Sequence, residues 1–337
     1  MPDRNHDPRK DAPALRTAMT RRTFCASVGA MTGLAAIPGR AQPKTETLQA
    51  GYPDLIGEIR TVAALHEDTL LDIARINGLG FVETVTANKG VDPWLPGKGT
   101  VITLPTAHVL PAGPRKGILL NLIDQRIYFF PGEGAPIQTY AIGTGQEAWD
   151  TPVGNTRITR KKQNPTWYVP KSIRDEQPEL PAVVRPGPNN PLGRHAMYLG
   201  WHAYLIHGTN NPWGVGRRVS HGCIRMYPEG IEKLFPQVPV GTPVTVVSQE
   251  AKTGWRDGQL YLEVHPNPKQ NLELEETGKL TPAPVSELAY RIAQAAGKDV
   301  RRVDWERVKS AAFERSGFPI PILKSDKKDV EAATQKN

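Results

Sequence analysis

Residues 220–225 read Ser-His-Gly-Cys-Ile-Arg and contain the most reactive side chain of the sequence, Cys223. A thiol attacks a carbonyl carbon once a neighbouring base removes its proton, so a cysteine among small and imidazole-bearing residues suits a nucleophile. A lone cysteine is more often a buried packing residue. The flanking Ser220, His221 and Gly222 favour acyl transfer through a thioester, although the packing role stays open on spacing alone.

Two histidines could act as the base for this thiol. His221 lies two residues from Cys223 and, in an extended loop, on the same side. His207 lies sixteen residues upstream at the end of a predicted strand, and pairing across a loop is the usual construction of such sites. The backbone N–H groups of Gly222 and Cys223 could serve as oxyanion donors. The planar guanidinium of Arg225 suits a substrate carboxylate.

The first 41 residues predict an export signal. A twin arginine, Arg21-Arg22, precedes a moderately apolar run at residues 24–37, and a signal-peptidase-like site ends at Ala41. That run is shorter than the roughly 20 residues that span a bilayer. We therefore expect a twin-arginine signal at residues 1–41, a periplasmic location and no transmembrane segment after cleavage.

Charge and cysteine content exclude several classes of protein. The formal net charge is +8, about half of it in the first 41 residues, which is too mild for a dedicated nucleic-acid binder. Of the two cysteines, Cys25 lies in the signal. Cys223 is then left without a disulfide partner and without the second cysteine that a zinc site on it would favour.

The mature sequence divides into three predicted parts. Residues 42–110 show a β-α-α-β order, and residues 115–250 alternate short strands with turn signals, as in a sandwich or closed barrel. Residues 251–337 combine a strand with helices and end in a polar, disordered-looking tail after about Lys324. The predicted fold class is mainly β: a β-sandwich or barrel-like catalytic domain with a small βααβ module and an α/β C-terminal extension.

Several helices follow from periodicity and capping residues. Apolar spacing predicts a helix at residues 70–76 capped by Asp68, and a second at residues 81–87. A proline at its first turn predicts a helix at residues 228–235. The extension is expected to contain helices at 285–296 and 303–313.

The stretch from His207 to Arg225 resembles the signature of the L,D-transpeptidases with a YkuD-type catalytic domain. That family carries His-Gly, a loop, and Ser/Thr-His-Gly-Cys, as His207-Gly208 and residues 220–223 do here. The resemblance extends over about residues 115–250 and includes Thr-Pro-Val-Gly at residues 151–154. Residues 42–110 are similar to the LysM module of a Gram-negative subgroup, and such modules bind N-acetylglucosamine-containing glycans. The alternative is a small packing domain that binds nothing.

The resemblance implies a role for each site residue. Cys223 attacks a peptidoglycan tetrapeptide stem at diaminopimelate and releases D-alanine, with His207 as base and then acid. The Gly208 carbonyl orients His207, and the reaction requires no metal and no organic cofactor. The remaining implied roles are oxyanion and pocket groups at His221, Gly222 and Cys223, a bracing hydroxyl at Ser220, and carboxylate binding at Arg225, where some members carry Asn.

Neither the residues nor the resemblance identify the acceptor. The acyl group could pass to a diaminopimelate amine, to a lysine of an outer-membrane protein, or to water, which would make the protein an L,D-carboxypeptidase or endopeptidase. A different class of function is a non-catalytic peptidoglycan-binding protein with a dead catalytic domain. The presence of all the expected catalytic residues argues against this last alternative.

Overall fold

The structure, a computed structural model, describes residues 52–146 and 149–324, which fall within one compact unit. The expected signal at residues 1–41 and the polar tail lie outside the described residues. Within them, no helix is long and apolar enough to cross a membrane. The strands are β1 (Leu55–Ile56), β2 (Arg60–Ala63), β3 (Val101–Leu104), β4 (His108–Val109), β5 (Gly117–Asn121), β6 (Arg126–Phe130), β7 (Gln138–Gly145), β8 (Gly154–Gln163), β9 (Trp167–Tyr168), β10 (Val183–Val184), β11 (His195–Leu199), β12 (Leu205–His207), β13 (Arg218–Ser220), β14 (Ile224–Met226), β15 (Pro243–Val247), β16 (Ala251–Arg256), β17 (Gln259–Val264) and β18 (Ile320–Pro321). The α-helices are α1 (Leu70–Ile76), α2 (Phe81–Ala87), α3 (Lys171–Glu176), α4 (Pro228–Leu234), α5 (Pro268–Thr277), α6 (Leu288–Ala296) and α7 (Trp305–Glu314).

The N-terminal module has the predicted βααβ order. Strands β2 and β3 pair antiparallel, and α1 and α2 lie between them in sequence. The module has its own small core, in which Leu70 and Ile102 are fully buried. Its identity as a LysM module, like the boundaries of the three predicted domains, stays a prediction.

The helix α1 is capped one residue later than expected. The side chain of Thr69 accepts a hydrogen bond from the backbone N–H of Asp72, and the Asp72 carboxylate accepts from the Thr69 N–H, which completes a capping box. The predicted cap at Asp68 is therefore wrong. The Asp68 carboxylate instead accepts from the backbone N–H of Leu65, and so it braces the turn that precedes the helix.

The part of the chain that is expected to be catalytic forms a closed β-barrel. Its sheet runs in the order β13-β7-β14-β12-β11-β8-β15-β5-β6, and β6 pairs back onto β7 to close it. Aliphatic side chains from several strands of the barrel are fully buried in one core, among them Ile118 of β5, Ile158 of β8 and Ile206 of β12. This closed sheet confirms the mainly β fold class. The helix α4 follows β14 and ends one residue before the predicted end at residue 235.

The C-terminal extension is a three-stranded sheet packed against helices. Strand β17 pairs with β16 and β18, and α6 and α7 pack on this sheet around the buried Ile292 and Val308. The predicted helices at 285–296 and 303–313 appear as α6 and α7 with later starts. The helix α5 was not anticipated, because its apolar residues are too few to show a helical period.

A fully buried ion cluster links the extension to the barrel. The ammonium Nζ of Lys252 in β16 lies 2.6 Å from Asp124 Oδ2, in the β5–β6 turn, and 2.7 Å from Glu263 Oε1 in β17. Its third partner is the Tyr128 hydroxyl at 3.1 Å. The Asp124, Glu263 and His265 ligand atoms are close enough to hold a metal ion. Because Lys252 already places a cation between the two carboxylates, this cluster is a structural ion network rather than a metal site.

Candidate active site

Two neighbouring strands place the candidate catalytic side chains on one face of the barrel wall. Strands β12 and β14 run parallel, with Ile206 opposite Ile224 and His207 opposite Arg225. Side chains alternate along a strand. The isoleucines are fully buried in the core, so His207, Arg225 and the preceding Cys223 face the other way, toward a cleft.

That cleft is large and contains all three side chains. Its volume is about 970 Å³, and His207, Cys223 and Arg225 all line it. The guanidinium carbon of Arg160 lies 3.7 Å from the ring centroid of Tyr198 on the same wall. Aromatic side chains from several elements complete the lining: Trp149, Trp167, Tyr168 and Tyr204.

The His207 ring is oriented by the adjacent backbone. Its Nδ1 lies 2.5 Å from the carbonyl oxygen of Gly208, and the residue is 3% exposed. A carbonyl only accepts, so Nδ1 carries the proton and Nε2 keeps a free lone pair. Burial, reinforced by the charge of Arg225, lowers the pKa of His207 to about 4. The imidazole is therefore neutral at neutral pH and can accept a proton.

This shifted pKa predicts an unusual pH profile. Because His207 stays neutral down to its pKa of about 4, we expect acylation of Cys223 to be constant through pH 6–7 and to fall about tenfold per pH unit only below about pH 4. The measurement is the rate of carbapenem acylation across this range, with circular dichroism at each pH to verify folding. An acid limb centred near 6.5, the ordinary imidazole pKa, would contradict the assignment.

The Cys223 thiol is half-buried and reaches the cleft. Its Sγ donates to the carbonyl of Ala203 at 3.5 Å. Burial raises the pKa of Cys223, and the Leu205 backbone N–H and the Arg225 charge only partly oppose this. The sulfur is therefore protonated at neutral pH, because desolvation of the anion outweighs its partners. This agrees with the expectation that a neighbouring base must remove the thiol proton.

Hydrogen bonds on both sides hold the turn that carries the thiol. Ser220 Oγ donates to the Cys223 carbonyl at 2.6 Å, and Thr151 Oγ1 donates to the Gly222 carbonyl at 2.9 Å. Gly222 has φ +93°, and a Cβ there would lie 2.8 Å from the Tyr204 ring. Only glycine fits this turn without strain. The peptide N–H groups of residues 222 and 223 are thus kept in one orientation.

His221 is held at the cleft wall. Its Nε2 lies 3.0 Å from the carboxylate of Glu176 at the end of α3, and its ring centroid lies 5.5 Å from that of Trp149. The Nε2 of His221 is therefore engaged by a carboxylate, whereas His207 has a nitrogen free to accept. The geometry favours His207 over His221 as the base.

Arg225 brings a largely buried cation to the cleft. Its side chain makes no hydrogen bond or ion pair with any residue in the described ranges, and burial lowers its pKa. A desolvated guanidinium that has no carboxylate partner among residues 52–146 and 149–324 can bind one from a ligand.

Substitution of Arg225 tests this anion-binding role. We expect Arg225→Gln to raise KM for a carboxylate-bearing donor about tenfold, since one charge-assisted pair is lost. It should also move the acid limb of the pH profile upward, because Arg225 lowers the pKa of His207. Steady-state kinetics and the pH profile check both effects. Arg225→Lys, which keeps the charge, serves as control, and an unchanged KM in Arg225→Gln would contradict the role.

Sequence reasoning missed several residues of this site. Thr151 served only as a family marker, but its hydroxyl braces the turn at residues 221–223, the catalytic turn, which carries Cys223. Glu176 and Trp149, which hold His221, lie far from the motif in sequence and show no pattern that would single them out.

Comparisons with known proteins agree on the family. The model of the L,D-transpeptidase catalytic domain, YkuD, matches residues 115–246. The chain is 37% identical to the probable L,D-transpeptidase ErfK/SrfK of Escherichia coli over 80% of this chain and 87% of that protein. It is 34% identical to the probable L,D-transpeptidase YcfS of Escherichia coli over 90% of this chain and 94% of that protein.

Solved structures give a more distant match. The catalytic domain of an Enterococcus faecium L,D-transpeptidase aligns with 40% of this chain and 99% of that chain, at 22% identity and a TM-score of 0.32. The two Escherichia coli relatives are 37% and 34% identical to this chain, and the matches cover 87% and 94% of their lengths. The chain therefore belongs to the L,D-transpeptidase family with a YkuD-type catalytic domain.

Proposed function

We propose that this protein is a periplasmic L,D-transpeptidase that acts on peptidoglycan tetrapeptide stems through a thioacyl-enzyme on Cys223. The observation that carries the proposal is the placement of His207, Cys223 and Arg225 on one face of two neighbouring strands, along one cleft. A nucleophile and a neutral base are the groups that acyl transfer requires, and a cation beside them suits a peptide that carries a carboxylate.

Acylation starts from the neutral thiol of Cys223 and the neutral imidazole of His207. The Nε2 of His207 takes the Cys223 proton as sulfur attacks the diaminopimelate carbonyl that precedes D-alanine. The backbone N–H groups of Gly222 and Cys223 stabilise the oxyanion. The carbon–nitrogen bond then breaks, His207 returns its proton to the departing amine, and D-alanine leaves behind a thioester.

Deacylation reverses these roles with a new nucleophile. An acceptor amine attacks the thioester carbonyl while His207 Nε2 removes its proton, and the proton then passes to the leaving sulfur of Cys223. A diaminopimelate amine yields a direct cross-link between two stems. A lysine of an outer-membrane protein would yield an attached protein, and water would yield a free tripeptide stem.

The N-terminal module supplies a candidate surface for the glycan strand. Trp94 is 55% exposed and Leu95 is 78% exposed, and an aromatic face of this kind stacks on the apolar side of a sugar ring. Binding of the full chain to N-acetylglucosamine oligomers, lost in Trp94→Ala, would support a LysM-like role.

Product analysis with defined muropeptides tests the activity. We expect the protein and a disaccharide-tetrapeptide to release D-alanine and form a cross-linked dimer, detected by mass spectrometry. A disaccharide-tripeptide, which lacks the leaving group, is the matched control. Free tripeptide without dimer would assign a carboxypeptidase, and no D-alanine release together with no acyl adduct would refute the proposal.

The proposed location is tested separately. Replacing Arg21 and Arg22 with lysine should retain the precursor in the cytoplasm, whereas the parent should be recovered from the periplasm with a new N-terminus after Ala41. Fractionation and N-terminal sequencing give the answer, and equal export of both forms would contradict twin-arginine transport.

A further inference from the structure

The segment Leu79–Val82, which enters α2 of the N-terminal module, lies against the loop that leads into the catalytic turn. The backbone N–H groups of Phe81 and Val82 donate to the carbonyls of Val215 and Gly216 at 3.4 and 3.2 Å. These N–H groups are in the first turn of α2 and have no partner within the helix. The module thus meets the loop between β12 and β13 backbone to backbone.

Glycines on both sides make this close approach possible. A Cβ on Gly216 would lie 2.1 Å from the backbone nitrogen of Phe81, and a Cβ on Gly80 would lie 2.7 Å from the Cα of Gly216. Gly216 also has φ +78°, a conformation that disfavours other residues. The fit at this contact leaves no room for a side chain.

The side chain of Arg217 is held by two parts of the protein at once. Its guanidinium carbon lies 3.9 Å from the ring centroid of Phe81 in the module. Its Nε lies 3.6 Å from the carboxylate of Glu275 in α5 of the C-terminal extension. The next residue begins β13, which ends at Ser220.

The same module segment also contacts the far side of the catalytic turn. The hydroxyl of Tyr227, one residue after β14, donates to the Leu79 carbonyl at 3.0 Å, and both groups are buried. The turn with Cys223 therefore lies between two anchor points, at residues 215–217 and at Tyr227, and both are attached to the module.

We infer that the segment Leu79–Val82 is a positioning element of the active site, which sets the geometry of the turn bearing Cys223 from outside the barrel. This inference rests on the proposed function for its kinetic consequence. The competing explanation is that pairing with β7 is sufficient, since the Thr144 N–H donates to the Arg217 carbonyl and the Gly216 N–H donates to the Ile142 carbonyl, both at 3.0 Å.

Two alanine variants with nearly equal backbone strain separate these explanations. Gly216 and Gly134 have φ +78° and +76°, but a Cβ on Gly134 meets nothing within 4 Å. We expect Gly216→Ala in the full-length protein to slow carbapenem acylation of Cys223 about ten- to a hundredfold, as a small misplacement of reacting groups does. Gly134→Ala should remain within about twofold of the parent, because it adds the strain without the clash.

Hydrogen exchange gives a readout that does not depend on activity. In Gly216→Ala, the amides of residues 208–223 should exchange faster than in Gly134→Ala, while the extension keeps the exchange of the parent. Equal exchange and equal acylation in the two variants would overturn the inference. Faster exchange in Gly216→Ala with a parent that is inert toward muropeptides would refute the proposed function alone.

A side-chain pair keeps the test valid if Gly216→Ala fails to fold. Arg217→Gln should lower kcat about tenfold with little change in KM, since the turn is displaced but the cleft is intact. Arg217→Lys, which keeps a cation near Phe81 and Glu275, should recover most of the loss. An unchanged kcat in Arg217→Gln would also overturn the inference.

Discussion

Replacing Cys223 with alanine is expected to abolish D-alanine release and cross-linking, a loss of about four orders of magnitude or more. The sulfur is the atom that carries the acyl group, and the neighbouring groups only assist it. His207 and the N–H groups of the turn could still bind and polarise the substrate, but no covalent intermediate can form. Muropeptide product analysis and intact-protein mass after carbapenem treatment measure the loss.

A serine variant gives the matched control for this result. Cys223→Ser keeps the size and hydrogen-bonding capacity of the side chain, including a donor for the Ala203 carbonyl, but replaces the thiol with a far less acidic hydroxyl. We expect normal folding, binding of the stem and no adduct. Retained D-alanine release by Cys223→Ala would refute the thioacyl mechanism and with it the proposed function.

Replacing Lys252 with methionine is expected to lower the free energy of unfolding by about 3–5 kcal/mol. The substitution removes the ammonium from between Asp124 and Glu263, whose side chains are fully buried, and leaves two carboxylates without their cation. Burial lowers the pKa of Lys252, but the two carboxylates raise it by more than burial lowers it, so the native ammonium is charged. Urea denaturation followed by fluorescence measures the change.

The chain offers a surface pair as the control. Lys309 Nζ lies 2.7 Å from Glu306 Oε1, the same distance as that from Lys252 to Glu263. Both side chains of this surface pair are more than two-thirds exposed. Lys309→Met should cost at most about 1 kcal/mol. Equal effects of the two substitutions would show that the buried cluster is not a stabilising link.

The pH dependence of this difference has a defined sign. The Lys252 charge lowers the pKa of Asp124 against the effect of burial. The resulting stabilisation is present above the carboxyl pKa of the unfolded chain, about 4, and is lost as the pH falls through the lower folded value. The difference in the free energy of unfolding between the parent and Lys252→Met should therefore become smaller as the pH falls.

Patterns within short windows predicted much of the architecture. The period of the apolar residues placed α2 at residues 81–87, where the structure has it, and the spacing of short strands predicted the mainly β barrel. The prediction of the α1 cap was wrong because Asp68 and Thr69 are both good capping residues. The choice between them depends on a turn that braces Leu65, which propensity does not describe.

The amino-acid sequence by itself determined the chemistry of this protein: a thiol, an imidazole, a glycine turn and an arginine in a recognisable order. Only the tertiary structure decided their states. Burial and the neighbouring Arg225 make His207 a neutral base and raise the pKa of the Cys223 thiol, and both effects depend on the solvent that the folded chain excludes. The contacts of Thr151, Glu176 and Phe81 join residues distant in sequence, so no local pattern could contain them.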